Sequence, residues 1–461
     1  MNHIKRAVST LMAVIVFLGV LVMIPQTSAN AAFVIDYDVT CDAVYMVNLD
    51  TGIPVYEKNS EKQKYPASMT KLVTCMIALE YYSDPKAENV TISREVMTNE
   101  TLLSNGVWST GGLKEGERLS LKDLLHCAML PSDNYAALAI AYFISQEKGN
   151  GTLLWFIDRM NEKARELGCT NTQFMNPHGL YHSAHYTTAK DMFKLAEHAM
   201  TIPYFAEIVS TPVYRRPATN KNPDFGKEGY RLENTNMMLS TAYEEKGYYY
   251  QYVKGIKTGF IGAAGHTLAT YATRNGYSYI TILMDDGAKK NSDKNYCMID
   301  AKALYQWAFT SLDLKELVSA TKPVTTVDVD LAWSVDTLDL YPQDSFTTLM
   351  LNNVEPSSIM VKKKDIPDSI EAPIKKGQVI GTADLIYGSE KVGTITLIAG
   401  DTVERSELLY VLKLAGDLFS SPVFLIIFFL AVFGLVGYFV YSLMRSRSVG
   451  SVKRVRRYRR M

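Results

Sequence analysis

Pro66-Ala67-Ser68-Met69-Thr70-Lys71 heads an apolar run that reads as a helix over residues 68–82, and its reading decides that of the whole chain. Residues three apart on a helix share a face, which sets the Lys71 amine beside the Ser68 hydroxyl. A serine hydroxyl is a poor nucleophile until a base takes its proton, and a lysine serves as that base once burial or a neighbouring cation lowers its pKa. The first helical turn adds N–H groups that favour developing negative charge. The spacing alone is weak evidence, because Ser319-Ala320-Thr321-Lys322 repeats it in a segment that reads as a solvated linker.

Two further elements stand downstream. Ser132-Asp133-Asn134 follows Met129-Leu130-Pro131 at a break between two helix-period segments, and loops held by rigid flanks are where catalytic side chains tend to sit. There Ser132 would relay a proton toward a leaving amine and Asn134 would bond a substrate amide. A plain helix N-cap competes with that reading, since Ser, Asp and Asn all suit it. Gly255-Ile256-Lys257-Thr258-Gly259-Phe260 leads into a strand. Lys257 and Thr258 offer a cation and a hydroxyl to an anionic end group, and Gly259 lets a ligand approach the backbone. Taken alone this too is an ordinary turn; the weight lies in the order Ser-x-x-Lys, Ser-x-Asn, Lys-Thr-Gly within one chain.

Around these elements, residues 43–49 and 53–56 alternate about Asp50-Thr51-Gly52 and read as a hairpin. Helix-period segments follow at 121–129, 134–147, 153–167 and 188–201. Strands return at 268–273 and 277–283, separated by Arg274-Asn275-Gly276, and a helix at 302–309 closes the unit. Strands at both ends with helices between predict one sheet closed by both termini of a domain. Beyond Pro323 the character changes: Val327-Asp328-Val329-Asp330-Leu331 alternates strictly, and 379–386 and 393–398 are strand-like.

The 461 residues, 47% hydrophobic and 21% charged, suffice for two or three packed domains and are too apolar for disorder. Lys5 and Arg6, an apolar run over 8–24 and Ala29-Asn30-Ala31 read as a signal peptide. Residues 422–444 carry no charge, enough at about 1.5 Å per residue to cross a hydrocarbon core of about 30 Å. The tail after them holds eight cations and no acid, as a cytoplasmic tail should. The formal net charge of 0 therefore leaves the part between leader and tail at −10, which argues against nucleic acid or another polyanion as a partner. Cys41, Cys75, Cys127, Cys169 and Cys297 are odd in number and show no metal spacing, so neither a metal site nor a disulfide framework is expected.

With its three elements the chain resembles the penicillin-binding proteins and serine β-lactamases, and within them the D-alanyl-D-alanine carboxypeptidases. Asn176-Pro177-His178-Gly179-Leu180, Thr187-Thr188-Ala189-Lys190-Asp191-Met192 and Pro373-Ile374-Lys375-Lys376-Gly377-Gln378 extend the likeness over nearly the whole exported region. The resemblance implies an α+β fold: a penicillin-binding domain of antiparallel sheet flanked by helices, a small β-sandwich and a C-terminal transmembrane helix. The expected layout is a signal peptide at 1–31, a catalytic domain at 32–315, a linker at 316–324, the β-sandwich at 325–412, the span at 422–444 and the cytoplasmic tail at 445–461. It implies that Ser68 attacks the bond between the last two D-alanines of a peptidoglycan stem with Lys71 as base, and that water then frees the acyl-enzyme. Ser132 and Asn134 take the relay and substrate-binding roles, Lys257, Thr258 and Gly259 line the carboxylate site, and the N–H groups of Ser68 and Phe260 form the oxyanion hole. β-Lactams are then inhibitors, the cell membrane is the anchor, and no cofactor is needed. After Gly259 the chain reads Phe260-Ile261-Gly262-Ala263-Ala264-Gly265, without the family's usual Thr and acid, and Asp285-Asp286-Gly287-Ala288-Lys289-Lys290 shows no carboxylate-binding arginine. The carboxylate is therefore expected to rest on Lys257 and Thr258. A DD-endopeptidase, a β-lactamase and a silent wall-binding scaffold are the competing readings.

Overall fold

The computed structural model describes residue 33, residues 35–287 and residues 294–449. The expected signal peptide, residues 288–290 and the tail beyond 449 lie outside the described residues. The chain divides into two units, the first comprising residues up to 315 together with Thr348–Glu355 and Glu390–Val392.

In the first unit, strands β1 (Ala43–Asn48), β2 (Ile53–Lys58), β3 (Val253–Ile261), β4 (Gly265–Arg274) and β5 (Tyr277–Met284) form one antiparallel sheet in the order β2-β1-β5-β4-β3. The first and last strands in sequence lie side by side, with Ala43 opposite Met284 and Asn48 opposite Tyr279. Asn275 and Gly276, both at positive φ, make the tight β4–β5 turn that the sequence signals. Successive side chains of a strand point to opposite faces. Ala43, Tyr45 and Val47 accordingly enter one core and Val44 and Met46 the other.

The first core is filled by helices α1 (Thr70–Tyr81), α2 (Leu121–Met129), α3 (Asn134–Lys148), α4 (Leu153–Glu166) and α5 (Ala189–Met200), the second by α6 (Tyr296–Ser311). Every residue of α1 from Thr70 to Leu79 is buried, the mark of a helix enclosed on all sides. Two elements differ from the sequence reading. Residues 67–69 form a 3-10 turn before α1, so Ser68 precedes the α-helix instead of opening it. Helix α6 starts six residues before the expected 302, where the Asn295 side chain accepts the Met298 N–H and caps it.

In the second unit, β6 (Thr325–Asp330), β7 (Thr337–Pro342), β8 (Met360–Lys363), β9 (Ser369–Glu371), β10 (Val379–Tyr387) and β11 (Glu390–Ala399) form a six-stranded sheet in the order β8-β10-β11-β7-β6-β9. The pair β6–β9 is parallel. Buried Val327, Leu338, Leu340, Leu385 and Leu397 supply its apolar face. A strand over Leu312–Val318 takes the first part of the segment expected as linker. Residues 407–412, assigned from sequence to the β-domain, instead begin helix α7 (Glu407–Ser420), which Ser406 caps by accepting the Leu409 N–H. Helix α7 exposes Leu408, Val411, Leu412, Leu414, Leu418 and Phe419, with Val411 and Leu412 three and four residues after Leu408 and Leu418 and Phe419 seven residues further on. It leads into α8 (Pro422–Val449), whose Pro422–Ser446 stretch contains an 18-residue window of mean hydropathy 2.8 and is long enough to cross a membrane. The chain thus has an amphipathic helix as well as an apolar one.

Candidate active site

Three segments of the first unit meet at Ser68. Helix α1 carries Lys71 one turn below it, fully buried, with Nζ 3.0 Å from Ser68 Oγ. Two carbonyl oxygens hold that amine, Asn134 Oδ1 at 2.7 Å and His178 O at 2.8 Å. Burial, and then the cation of Lys257, pushes Lys71 well below the usual lysine range. A neutral amine has two N–H groups, and two carbonyls are there to take them. Its lone pair is left for the Ser68 hydroxyl.

The loop between α2 and α3 carries Ser132 at positive φ and Asn134 on the first turn of α3. Its shape is set by Asp133, fully buried between them, which accepts four hydrogen bonds. Ser109 Oγ and the Gly111 N–H reach Oδ2 at 2.5 and 2.6 Å; the N–H groups of Tyr135 and Ala136 reach Oδ1 at 2.8 and 3.1 Å. Burial pushes this carboxyl up against the pull of the four donors. The N-cap and the catalytic readings of Ser132-Asp133-Asn134 are therefore compatible: Asp133 caps α3, and the cap aims Asn134 at Lys71. Among the described residues, no hydrogen bond joins Ser132 Oγ to Ser68 or Lys71.

Strand β3 is the edge of the sheet, so one side of its backbone has no neighbouring strand. Gly259 is the point of closest approach: a Cβ there would lie 2.9 Å from the Ser68 nitrogen and 2.4 Å from Thr267 Oγ1. Thr267 Oγ1 in turn donates to the Pro66 carbonyl at 3.1 Å, tying β4 to the turn that bears Ser68. Lys257 is 1% exposed, and its Nζ has no hydrogen-bond partner among the described residues. Burial brings its pKa down to about 7. An orphaned buried donor of this kind is rare in folded proteins, and an acceptor on a ligand would satisfy it. Next along β3, the Thr258 hydroxyl is 2.6 Å from that of Thr235, which the sequence reading did not single out. Phe260 exposes its ring, 4.8 Å from that of His266.

The stretch Asn176-Pro177-His178-Gly179-Leu180 gains a role that its residue types do not advertise. Asn176 Oδ1 accepts from the Gly179 N–H at 2.7 Å and its Nδ2 donates to Leu180 O at 3.0 Å, closing a tight turn. Thr74 Oγ1 donates to Pro177 O at 2.7 Å, and Thr70 Oγ1 lies 2.9 Å from His185 Nε2. The turn is thereby fastened to α1 with the His178 carbonyl on Lys71. Gly179 has φ +88°, and a Cβ on it would lie 1.9 Å from Ala67 O. Burial, and then Lys71, pushes the His178 imidazole well below its usual range. Ser319, in contrast, lies outside any helix and bonds Thr321 Oγ1 at 3.0 Å, with Lys322 exposed.

The family model described as D-alanyl-D-alanine carboxypeptidase matches residues 26–288. The chain belongs to this family. A second model, described as the C-terminal domain of penicillin-binding protein 5, matches residues 313–405. Among curated relatives, D-alanyl-D-alanine carboxypeptidase DacF of Bacillus subtilis is 29% identical over 379 residues, 80% of this chain and 87% of that one. DacC of Escherichia coli is 26% identical over 397 residues, 83% of this chain and 86% of that one. The crystal structure of the carboxypeptidase DacD from Francisella tularensis superimposes with a TM-score of 0.61 at 22% identity, covering 80% of this chain and 95% of that one, which supports the fold. The chain is thus a serine hydrolase of the D-alanyl-D-alanine carboxypeptidase family, with a C-terminal β-rich domain and one apolar C-terminal helix.

Proposed function

We propose that this enzyme removes the terminal D-alanine from peptidoglycan stem pentapeptides through an acyl-enzyme on Ser68. The observation that carries the reading is the buried Lys71 amine, 3.0 Å from Ser68 Oγ and pushed toward its neutral form. Lys71 takes the hydroxyl proton as Oγ bonds to the carbonyl carbon between the last two D-alanines. The developing oxyanion sits between the N–H groups of Ser68 and Phe260. The C–N bond breaks as the proton passes, by way of Ser132, to the leaving amine. Water, with Lys71 again as base, cleaves the ester and restores Ser68.

Lys257 and Thr258 hold the terminal carboxylate, and Asn134 bonds the amide before the scissile one. From Phe260 the upstream stem runs along the free edge of β3 toward Ala263. That residue borders a cavity of ≈ 340 Å³ lined also by Lys64, Tyr65, Tyr186 and Asp285. No step requires a metal or an organic cofactor. β-Lactams present a strained amide to the same hydroxyl and act as inhibitors.

The chain is anchored by α8 as a single span, with the first unit outside the membrane and the basic tail inside; the charge asymmetry about 422–444 supports this orientation. Helix α7, apolar along one side, lies along the outer bilayer surface. The full chain in detergent micelles, given a stem pentapeptide, is expected to release free D-alanine, and the Ser68→Ala variant none. Release of uncoupled dimers from crosslinked muropeptides, with no free D-alanine from the pentapeptide, would favour an endopeptidase instead.

A further inference from the structure

We propose that Cys41 and Cys297 form a disulfide that staples the two ends of the catalytic unit. The proposal rests on the exported location argued above, since such bonds form and persist in oxidising compartments. All five cysteines are buried. Only these two bring their sulfurs together, with Sγ atoms 3.3 Å apart. Closing that gap to a bond of about 2.05 Å needs a movement of little more than an ångström. Cys75 and Cys127 sit singly in α1 and α2, and Cys169 Sγ is 3.4 Å from Asp191 O.

The backbones that carry the pair are held together independently of the sulfurs. Asp300, fully buried and one turn beyond Cys297 on α6, accepts the Cys41 N–H at 2.8 Å through Oδ2. Its Oδ1 accepts the Tyr37 hydroxyl at 2.7 Å. Two thiols fixed at this separation by a third group meet as a consequence of the fold.

The pair is 256 residues apart in sequence and encloses nearly all of the catalytic unit. A crosslink closing so long a loop constrains the unfolded chain strongly in the chain-entropy model. The bond would also lie against the active-site sheet, since Cys297 Sγ is 3.3 Å from the carbonyl of His266, whose ring meets that of Phe260.

The chemistry is thiol–disulfide exchange with a protein or small-molecule disulfide as oxidant. Each cysteine gives up one proton and one electron as the S–S bond forms, and the oxidant's own disulfide is reduced to two thiols. Burial pushes both thiols above their usual range, which suppresses thiolate once the interior has closed. The bond therefore forms during folding and then resists reductants.

The full chain, extracted in detergent from membranes of an exporting bacterial host, is denatured in iodoacetamide without reductant and mapped by mass spectrometry. The expected result is one crosslinked pair of peptides bearing Cys41 and Cys297, with alkylation confined to Cys75, Cys127 and Cys169. Protease digestion of intact cells locates the catalytic unit in parallel. An outside location with five alkylated cysteines overturns the disulfide and leaves the function standing. An inside location overturns the topology, and refolding of the full chain in a glutathione redox buffer then judges the pair: the Cys41–Cys297 link supports it, and five free thiols overturn it. The Cys41→Ser variant is expected to melt about 5–15 °C lower than the crosslinked chain, whereas Cys75→Ser keeps the crosslink.

Discussion

The carbonyl oxygen of His178 lies 2.8 Å from the Nζ of Lys71, 107 residues earlier in the chain. With Asn134 Oδ1 at 2.7 Å it would occupy both N–H groups of the amine in its neutral form and leave the lone pair to Ser68. The Lys71 amine is thus held by two neighbours from separate segments, one of them contributing only its backbone.

In the proposed mechanism, replacing Lys71 by Ala removes the base together with the fully buried stem that carries it. Acylation by a β-lactam or a stem peptide is expected to slow by about 10²- to 10⁴-fold, the usual worth of general-base help. Stopped-flow acylation of the full chain in detergent measures it; a loss below threefold would remove Lys71 from the mechanism.

The two lysines set opposing pH demands. In the proposed mechanism Lys71 acts as base when neutral, and its pKa is depressed, so acylation is expected to rise as pH climbs through that value. Lys257, proposed to bind the carboxylate when protonated, has its pKa lowered to about 7, so the free enzyme is expected to lose this cation as pH climbs past neutrality. The kcat/KM for a peptide with a free terminal carboxylate is therefore expected to be bell-shaped and to fall above about pH 7. With the carboxylate amidated, the falling limb should vanish. A falling limb shared by both peptides would contradict the assignment of Lys257.

Gly179 is fixed by both its backbone and its surroundings. Gly179→Ala places a Cβ 1.9 Å from Ala67 O at φ +88°. Because the carbonyl belongs to the residue before Ser68, the clash moves the site as well as straining the turn. A displacement of about 1 Å is enough for a loss of about 10²-fold in rate, and the strain adds about 1–3 kcal/mol of destabilisation. Kinetics and thermal unfolding of the variant check both; unchanged acylation would show that the turn does not position Ser68.

What the sequence made legible follows physical scale. The β4–β5 hairpin and helices α2 and α3 were readable from period and turn residues within a window of about fifteen positions. The three site elements were readable because serine, lysine and asparagine carry their chemistry in the side chain. The His178 carbonyl was not, since every residue has one; nor was the Asp133 cage, whose donors Ser109 and Gly111 come from a distant loop. Thr235 on Thr258 and Cys41 beside Cys297 are likewise meetings of remote segments, invisible to local spacing. Helix α7 was missed: Leu408, Val411 and Leu412 carry its period, but residues through 412 were read as part of the β-domain.

Away from the reaction, Arg216 and Glu117 form a fully buried ion pair at 2.6 Å, with Thr219 and Asn222 also donating to Glu117. Glu117→Ala leaves the guanidinium uncompensated in the interior and is expected to cost about 3–5 kcal/mol. Chemical denaturation of the variant against the parent measures it, and a change under 1 kcal/mol would mean that the site hydrates.

Mapping the penicillin adduct decides whether Ser68 is the nucleophile. The full chain exposed to penicillin is expected to gain one penicilloyl group on the peptide containing Ser68, and Ser68→Ala to gain none. An adduct on the peptide bearing Ser319, or full labelling of the Ser68→Ala variant, would contradict the account.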